Sequence, residues 1–338
     1  MRSGEHVLVT GGAGYIGSLL AANLLREGCM VTVVDNLLYG GDALIPFLTH
    51  PNFHFVKSDV CEPGAIRLSL RKDWPRPSAL IHLAALAGFP SCQAVGKDVA
   101  CRYNIEATQR VFEQADQLGI GRFLFSSTYS VYANDPTCTA VTEESALEPH
   151  SLYSETKIGA ESWLREQGAN AATALLIFRQ ATSYGLSPRI RFDLLVNQFV
   201  LEAYIRRELL IYQRSYSRSF IHIEDAVRGY QLALQAPEEK VRNQVYNLGS
   251  DRGNYTKDEI VNLILEQLSG VVVRYKDISY GGEQRDLVVS YDKIERELGF
   301  EPQKSAKEGV EELVNALRTG LIRNPYDRRY RNAETFVQ

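Results

Sequence analysis

A tyrosine and a lysine stand four residues apart at Tyr153 and Lys157, within the pentapeptide YSETK. Residues at this spacing share one face of a helix, so both side chains can reach the same pocket. A tyrosine hydroxyl, with an ordinary pKa of about 10, is a poor base at neutral pH, but a neighbouring ammonium group stabilises its phenolate. The pair therefore predicts an acid–base site, with a chance pair on an exposed helix face as the alternative.

A further hydroxyl group accompanies this pair. Thr128 ends the run FLFSST, which we predict to be the fifth strand of a parallel sheet. Ligands of such sheets bind at the carboxyl ends of the strands, where Thr128 would stand. We therefore expect its hydroxyl to hydrogen-bond the oxygen on which the acid–base pair acts.

A glycine-rich turn, VTGGAGYIGS, follows the first apolar run and opens the first helical pattern. Gly11 permits a tight turn, Gly14 lets a pyrophosphate approach the backbone, and Gly17 lets helix and strand pack closely. Asp35 follows about 20 residues on, where a carboxylate binds both hydroxyls of an adenosine ribose and repels a 2′-phosphate. The motif predicts NAD rather than NADP, with Asp35 as a simple helix cap left as the alternative.

Short apolar runs alternate with helical patterns through the first half of the chain. The runs span 6–10, 30–35, 53–57, 79–84, 122–127 and 173–178, and the helical patterns span 18–27, 98–118 and 155–167. Nearly continuous apolar strands separated by helices predict an α/β fold, with a doubly wound parallel sheet and right-handed crossovers. This sheet would carry the glycine turn and the acid–base pair at one edge.

The regular alternation of strands and helices ends at about Gly185. Helical patterns at 192–207, 223–235, 257–268 and 307–318 then alternate with short strands at 245–248 and 271–275. We predict a dinucleotide-binding domain over 1–185 and a smaller, mostly helical substrate lobe over 186–338, with some exchange of chain between the lobes. The composition of the polar segment 324–338 does not decide whether it is ordered.

The overall composition excludes several classes of protein. The formal net charge of −4 gives no general attraction to nucleic acid or to an anionic membrane. The sequence contains no secretory signal pattern and no long uncharged stretch, and its five cysteines are scattered without a CxxC pair. We therefore expect a cytoplasmic protein with free thiols, without a disulfide framework or a metal site.

Several of these motifs together resemble a known family. In order and spacing, TGGAGYIG, DNL, HLAA, Asn104, SSTYSVY and YSETK resemble the NAD-dependent epimerase/dehydratase branch of the extended short-chain dehydrogenases, over about 7–317. The resemblance implies a Rossmann-type fold with Thr128, Tyr153 and Lys157 as the catalytic triad. It also implies that Asn104 supports the active-site water and the helix geometry, and that Lys157 also binds the nicotinamide ribose.

The same resemblance implies a full set of cofactor contacts. Asp59 would meet the adenine, although a simple turn residue is a comparable interpretation of that position. The expected NAD-binding residues are Gly11, Gly14, Tyr15, Ile16, Gly17, Asp35, Asn36, Asp59, Val60, Leu83, Ala84, Ala85, Asn104, Ser126, Tyr153 and Lys157.

The resemblance further implies that the second lobe binds a sugar carried on a nucleotide diphosphate. The expected phosphate contacts are Asn197 in FDLLVNQF, Arg218 in SRSFIHIEDAVRG and Arg285 in GEQRD, since guanidinium groups and amides suit a diphosphate. Ser219 replaces the acid that the family usually carries beside this arginine. Besides these, Thr128 would contact the sugar, as would Thr182, which stands where hexose 4-epimerases have asparagine.

The segment YGLSPRIRFDLLVN resembles a subgroup of the family that includes nucleotide-sugar 4-epimerases and GDP-heptose 4-dehydrogenases. Arg189 and Arg191 in this segment would either cap the phosphates or belong to a helix start; Arg191 is included among the expected substrate contacts. The family also implies a homodimer that pairs through the helices at about 98–118 and 151–168.

Departures from the family pattern narrow the expected reaction. The 4,6-dehydratases of the family carry Asp-Glu directly after the catalytic threonine, whereas this chain has Tyr129 and Ser130. The leading hypothesis is therefore epimerisation at sugar C4 through a transient 4-keto intermediate. The alternatives are a 4-dehydrogenase that releases the keto sugar, a 4,6-dehydratase with a substitute acid, and an NAD-binding scaffold without turnover. Cys92 would be a buried inert thiol or would shape the sugar pocket.

Overall fold

The protein is represented by a computed structural model that describes residues 4–134, 139–276 and 286–333. The strands in these ranges are β1 (His6–Thr10), β2 (Met30–Asp35), β3 (Phe53–Lys57), β4 (Ala79–His82), β5 (Arg122–Thr128), β6 (Ala174–Gln180), β7 (Thr182–Tyr184), β8 (Glu208–Tyr212), β9 (Ser217–His222), β10 (Gln244–Leu248), β11 (Asn254–Thr256) and β12 (Val272–Lys276).

The helices in the same ranges are α1 (Tyr15–Arg26), α2 (Ala65–Leu68), α3 (Phe89–Val95), α4 (Lys97–Cys101), α5 (Ala107–Gln117), α6 (Leu152–Gly168), α7 (Leu195–Arg206), α8 (Ile223–Gln235), α9 (Lys257–Gln267), α10 (Asp292–Leu298) and α11 (Ala306–Arg318). A π-helical segment, Arg102–Glu106, joins α4 to α5. Segments of this kind are uncommon and are frequent at functional sites.

A seven-stranded parallel sheet forms the centre of the described chain, with the order β3-β2-β1-β4-β5-β6-β10. Successive side chains of a strand point to opposite faces, and both faces of this sheet are covered. Val7 and Val9 of β1 pack on the face covered by α1 and α8, whereas Leu8 packs on the face covered by α5 and α6. The predicted doubly wound Rossmann-type sheet is therefore confirmed.

A second core lies beyond the carboxyl edge of this sheet. Helices α7, α9 and α11 enclose it with buried side chains such as Val200, Ile260 and Leu313. Small sheets with the orders β11-β9-β7 and β12-β8 flank these helices. Strand β10 and helix α8 also come from the second half of the chain, but they join the central sheet. The division at residue 185 stays a prediction.

Local sequence explains which elements were easy to predict. The runs for β1, β2 and β3 are mostly apolar and are followed by Gly, Asn and Ser, and their predicted and observed bounds coincide. Strands β7, β8, β9 and β11 are not among the strands predicted from the sequence, and all four belong to the two small sheets. Within the described residues, no helix is long and apolar enough to cross a membrane.

Candidate active site

One cavity follows the carboxyl ends of the central strands. Its walls come from the turn after β1, the loops after β2, β3 and β4, the ends of β5 and β6, helix α6 and the segment that precedes α7. This is the edge at which ligands bind in doubly wound sheets. Of the residues predicted to bind NAD, the cavity is lined by Gly11, Gly14, Tyr15, Ile16, Gly17, Asp35, Asn36, Val60, Leu83, Ala84, Ala85, Ser126, Tyr153 and Lys157.

The glycine turn at the start of α1 has the shape that a pyrophosphate requires. Gly11 has a φ of +72°, and a Cβ atom there would lie 2.6 Å from the backbone nitrogen of Ala84. A Cβ at Gly17 would clash with the carbonyl oxygen of Gly11. Gly14 is the N-cap of α1 and offers no side chain to cap it. The first-turn amides of α1 therefore remain available to an anion, which fits the diphosphate of NAD.

Asp35 is fixed at the edge of this turn. Its carboxylate accepts hydrogen bonds from the backbone nitrogens of Ala13 at 3.0 Å and Leu37 at 2.8 Å. Burial raises the pKa of Asp35, while these two amides and the charge of Arg189 act in the opposite direction. The carboxylate thus lies beside the glycine turn, and its contact with ribose hydroxyls stays a prediction.

Asp59 lies outside the lining of the cavity and supports residues that do line it. Its carboxylate accepts hydrogen bonds from the Tyr103 hydroxyl at 2.9 Å and from Asn36 Nδ2 at 3.2 Å. Both donors belong to the cavity wall. A direct contact between Asp59 and adenine stays a prediction.

Helix α6 presents Tyr153 and Lys157 to the cavity. Ser151 and Ser154 form a capping box at the start of the helix, and Tyr153 precedes Lys157 by about one helical turn. Lys157 is 4 % exposed, its Nζ donates to the Ser126 carbonyl oxygen at 2.7 Å, and the same atom lies 6.0 Å from the centre of the Tyr153 ring. Thr128, at the end of β5, lines the same cavity. The structure therefore brings the three residues together, and their catalytic roles stay predictions.

The titration of Lys157 gives a test of its burial. Burial lowers the pKa of Lys157 to about 8, whereas an unfolded lysine titrates near 10.4. Between these values the unfolded chain binds more protons, so the free energy of unfolding rises with pH by a total of about 3 kcal/mol. Without ligand, we expect the rise in the wild type to exceed that in Lys157→Met by about this amount. Lys257, whose pKa burial also lowers to about 8, contributes equally to both proteins. Urea unfolding of both proteins at neutral pH and at about pH 10 measures the two free energies of unfolding. An equal change with pH in the wild type and the variant would contradict the burial of the Lys157 ammonium.

Asn104 connects the loop after β4 to α6. It lies in the π-helical segment, its Oδ1 accepts from Leu86 N at 2.8 Å, and its Nδ2 donates to Thr156 Oγ1 at 2.9 Å and to Leu86 O at 3.1 Å. The Cys92 thiol donates to the same Leu86 carbonyl at 3.3 Å, and burial raises its pKa to about 11. Asn104 thus holds the residue next to Lys157, and Cys92 has the environment of an inert thiol.

The residues predicted to bind substrate divide into two groups. Thr128, Thr182 and Arg191 line the cavity, and the Arg191 guanidinium donates two hydrogen bonds to Asp193, at 2.8 and 3.0 Å. Asn197 is fully buried outside that lining.

Contacts within the protein occupy the Asn197 amide. Its Oδ1 accepts from Gly185 N at 3.0 Å, and its Nδ2 donates to Arg191 O at 2.9 Å. Arg218 is also outside the lining and donates to the Ser217 carbonyl oxygen at 3.1 Å. Arg285 lies outside the described residues. Contacts of Asn197, Arg218 and Arg285 with a diphosphate stay predictions.

Arg189 is a buried cation in the cavity wall. It is 7 % exposed, and its guanidinium carbon lies 4.8 Å from the centre of the Tyr39 ring. Its Nε and Nη2 atoms have no hydrogen-bond partner among the described residues. Burial and the charge of Arg191 lower the pKa of Arg189 to about 10. A buried guanidinium with unsatisfied N–H donors favours the binding of an anionic ligand.

The lining residues that the sequence analysis does not identify include Tyr39 and Asn332. Tyr39 stands in the loop after β2, and Asn332 comes from a segment that follows α11. No local pattern identifies either residue, since each reaches the cavity through tertiary contacts.

A buried ion pair lies behind Thr128. Glu161 of α6 and Arg179 of β6 have side chains that are each 1 % exposed, and Arg179 donates to the Glu161 carboxylate at 2.8 and 3.0 Å. Ser127 of β5 donates its hydroxyl to the same carboxylate. The guanidinium of Arg179 also lies 5.1 Å from the centre of the Tyr132 ring. This network joins β6 and the strand that carries Thr128, β5, to the helix that carries Lys157.

Acidic groups are scarce in the cavity. Among the described residues that line it, Asp35 is the only one with a carboxylate, and it lies at the glycine turn. Ser130 lines the cavity, whereas Tyr129 packs in the core of the central sheet. The described ranges also contain no cluster of three or more His, Cys, Asp or Glu side chains arranged to hold a metal ion.

Comparisons with known proteins agree with this arrangement. Residues 7–249 match the NAD dependent epimerase/dehydratase family. The chain is 30% identical over 321 residues to a dTDP-glucose 4,6-dehydratase of an Actinoplanes species, which covers 91% of this chain and 96% of that protein. It is 28% identical over 333 residues to the UDP-glucose 4-epimerase of Bacillus subtilis, covering 91% and 94%.

The fold is also similar to a solved structure, the dTDP-glucose 4,6-dehydratase DesIV of Streptomyces venezuelae with NAD and TYD bound. The TM-score is 0.81 at 29% identity, over 93% of this chain and 97% of that one. Sequence and fold therefore agree on relatives that act on nucleotide sugars, and those relatives include both dehydratases and epimerases.

Proposed function

Since this chain belongs to the NAD-dependent epimerase/dehydratase family, we propose that it inverts C4 of a sugar carried on a nucleotide diphosphate. The observation that carries this proposal is the scarcity of carboxylates in the cavity. Loss of water between sugar carbons needs an acid and a base beside the ring. Among the described lining residues, the sole carboxylate is Asp35, at the glycine turn and not beside Tyr153.

The side chains on α6 and β5 suit proton transfer at one sugar oxygen. Tyr153, as a phenolate, removes the proton of the C4 hydroxyl, and the Lys157 ammonium stabilises that phenolate. Thr128 donates a hydrogen bond to the same oxygen. Bound NAD would supply reversible hydride transfer at C4. Gly11, Gly14 and Gly17 with the first turn of α1 would hold its diphosphate, and Asp35 its adenosine ribose.

Inversion requires the keto sugar to turn between the two halves of the reaction. A sugar anchored through its diphosphate can present its other face while the ring itself is held loosely. Ser130 and Thr182 line the cavity and carry short side chains, so they leave room for such a rotation. Tyr153 then returns the proton to the C4 oxygen.

The runner-up is a 4-dehydrogenase that releases the keto sugar, because the same side chains serve both reactions. A dehydratase and an NAD-binding scaffold without turnover are the further alternatives. Purified protein loaded with NAD is incubated in D₂O with UDP-glucose, dTDP-glucose or UDP-glucuronic acid, and products and NADH are followed by NMR and absorbance.

We expect a mixture of C4 epimers without accumulated NADH and without deuterium at C5. A keto sugar with stoichiometric NADH would indicate the dehydrogenase. A 4-keto-6-deoxy sugar labelled at C5 would indicate the dehydratase, since that reaction removes the C5 proton. No turnover of any of the three substrates would contradict epimerisation of these sugars.

Two further expectations belong to this proposal. We propose a homodimer that pairs through the α4–α5 and α6 helices, and a cytoplasmic location. Light scattering at several protein concentrations tests the dimer.

A further inference from the structure

The segment 324–333 passes over the wall of the cavity and is anchored there. Phe192 N donates to the Tyr330 carbonyl oxygen at 2.9 Å, and the rings of these residues meet edge to face at 5.8 Å. Asn332 N donates to Asp193 Oδ2 at 3.0 Å. Asp193 is also the ion-pair partner of Arg191. The segment is thus attached to the stretch of chain that carries both cavity arginines.

Asn332 is placed by this attachment with an unused hydrogen-bond acceptor. The residue is 3 % exposed and lines the cavity, and its Oδ1 atom has no hydrogen-bond partner among the described residues. The backbone anchor to Asp193 does not use the side chain. Buried polar atoms are nearly always paired in native proteins, so an unpaired amide oxygen in a ligand cavity indicates a missing donor.

Arg189 lines the same cavity, and within the described part of the chain it has hydrogen-bond donors that lack acceptors, whereas Asn332 has an acceptor that lacks a donor. The Nε and Nη2 donors of Arg189 have no partner in the described ranges, and Asp193 interacts electrostatically with this arginine. An arginine fork suits anionic oxygens, and an amide carbonyl suits a hydroxyl group. Both residues neighbour Asp193, so one ligand can present an anionic oxygen to Arg189 and a hydroxyl to Asn332.

We propose that Asn332 is a ligand-binding residue, which accepts a hydrogen bond from a hydroxyl of a bound nucleotide whose nearby anionic oxygen is held by Arg189. This inference depends on the proposed function in so far as nucleotides are the ligands. NAD and a nucleotide sugar both carry hydroxyls close to phosphates, and binding measurements with each separate the two sources.

The test compares Asn332→Ala and Arg189→Gln with the wild type. Calorimetry gives the Kd for NAD, and, in protein loaded with NAD, the Kd for UDP-glucose and dTDP-glucose. Asn324→Ala is the matched control, because it makes the same substitution at an exposed position of the same segment. Thermal unfolding without ligand reports any structural role.

We expect Asn332→Ala to weaken either NAD or the nucleotide sugars by about threefold to tenfold, the effect of one lost hydrogen bond. Arg189→Gln should weaken the same ligand by about tenfold to a hundredfold, since a charged partner is lost. The melting temperature of Asn332→Ala without ligand should not fall, because its oxygen bonds nothing in the part of the chain that the structure describes. Unchanged affinity for all these ligands, an equal loss in Asn324→Ala, or losses that fall on different ligands would overturn the proposal.

These measurements do not require turnover. If the protein proves not to be an epimerase, binding of NAD to the variants still decides whether Asn332 takes part in the cofactor site. If epimerisation is observed and Asn332→Ala binds every ligand as the wild type does, the inference fails while the proposed function stands.

Discussion

Tyr153→Phe is expected to lower turnover by about 10²- to 10⁴-fold, the usual contribution of a positioned acid–base group, while NAD remains bound. The substitution removes a single hydroxyl and leaves the ring in the wall of the cavity. The glycine turn and Asp35, which would hold the cofactor, lie on β1, α1 and β2 and are untouched. Steady-state kinetics on the sugar accepted by the wild type, together with the Kd for NAD, measures the two effects.

Tyr204→Phe is the control for this substitution. Tyr204 lies on α7 outside the cavity lining, and loss of its hydroxyl should leave turnover unchanged. If Tyr153→Phe turned over as fast as the wild type, Tyr153 would not be the base. If neither the wild type nor the variant turned over any sugar while both bound NAD, the scaffold interpretation would be favoured.

Glu161→Ala is expected to lower the free energy of unfolding by about 3–5 kcal/mol, the range for breaking a buried ion pair from one side. The substitution leaves the Arg179 guanidinium 1 % exposed without its charged partner, although the carbonyl oxygen of Glu143 still accepts from it at 2.9 Å. It also removes the acceptor of the Ser127 hydroxyl. Urea unfolding at neutral pH measures the loss.

The chain offers a matched control in an exposed pair one turn and a half earlier on the same helix. Glu155 pairs with Lys97 at 2.7 Å, with side chains 45% and 65% exposed, so Glu155→Ala should cost less than about 1 kcal/mol. The double change Glu161→Leu with Arg179→Met should recover most of the stability, because apolar side chains replace both charges. A loss in Glu161→Ala no larger than that in Glu155→Ala would show that the buried pair adds little.

Features carried by local sequence could be predicted. The glycine turn, Asp35 and the Tyr153–Lys157 spacing each define their geometry within a few residues, and the structure brings them to one cavity. Strand β4 ends at His82, short of the predicted residue 84, because the chain turns there into the loop that lines the cavity. Such boundaries depend on tertiary contacts.

The rest of the site depends on contacts between distant parts of the chain. The Asn197 amide bonds the carbonyl of Arg191 and the backbone nitrogen of Gly185, two partners that the residues around Asn197 do not predict. Asn332 is held at the cavity by contacts of its segment with Phe192 and Asp193, which are far away in sequence. No pattern in the neighbouring sequence predicts the contacts of either Asn197 or Asn332.

The place of β10 in the central sheet has a consequence for how the chain is made. Strand β6 is buried along its whole length and pairs with β5 on one side and β10 on the other. During synthesis at about 5–20 residues per second, β10 leaves the ribosome several seconds after β6. For that interval the nascent chain presents an apolar strand with an open edge, which is a template for aggregation. A nascent chain stalled before residue 244 should therefore be a client for chaperones.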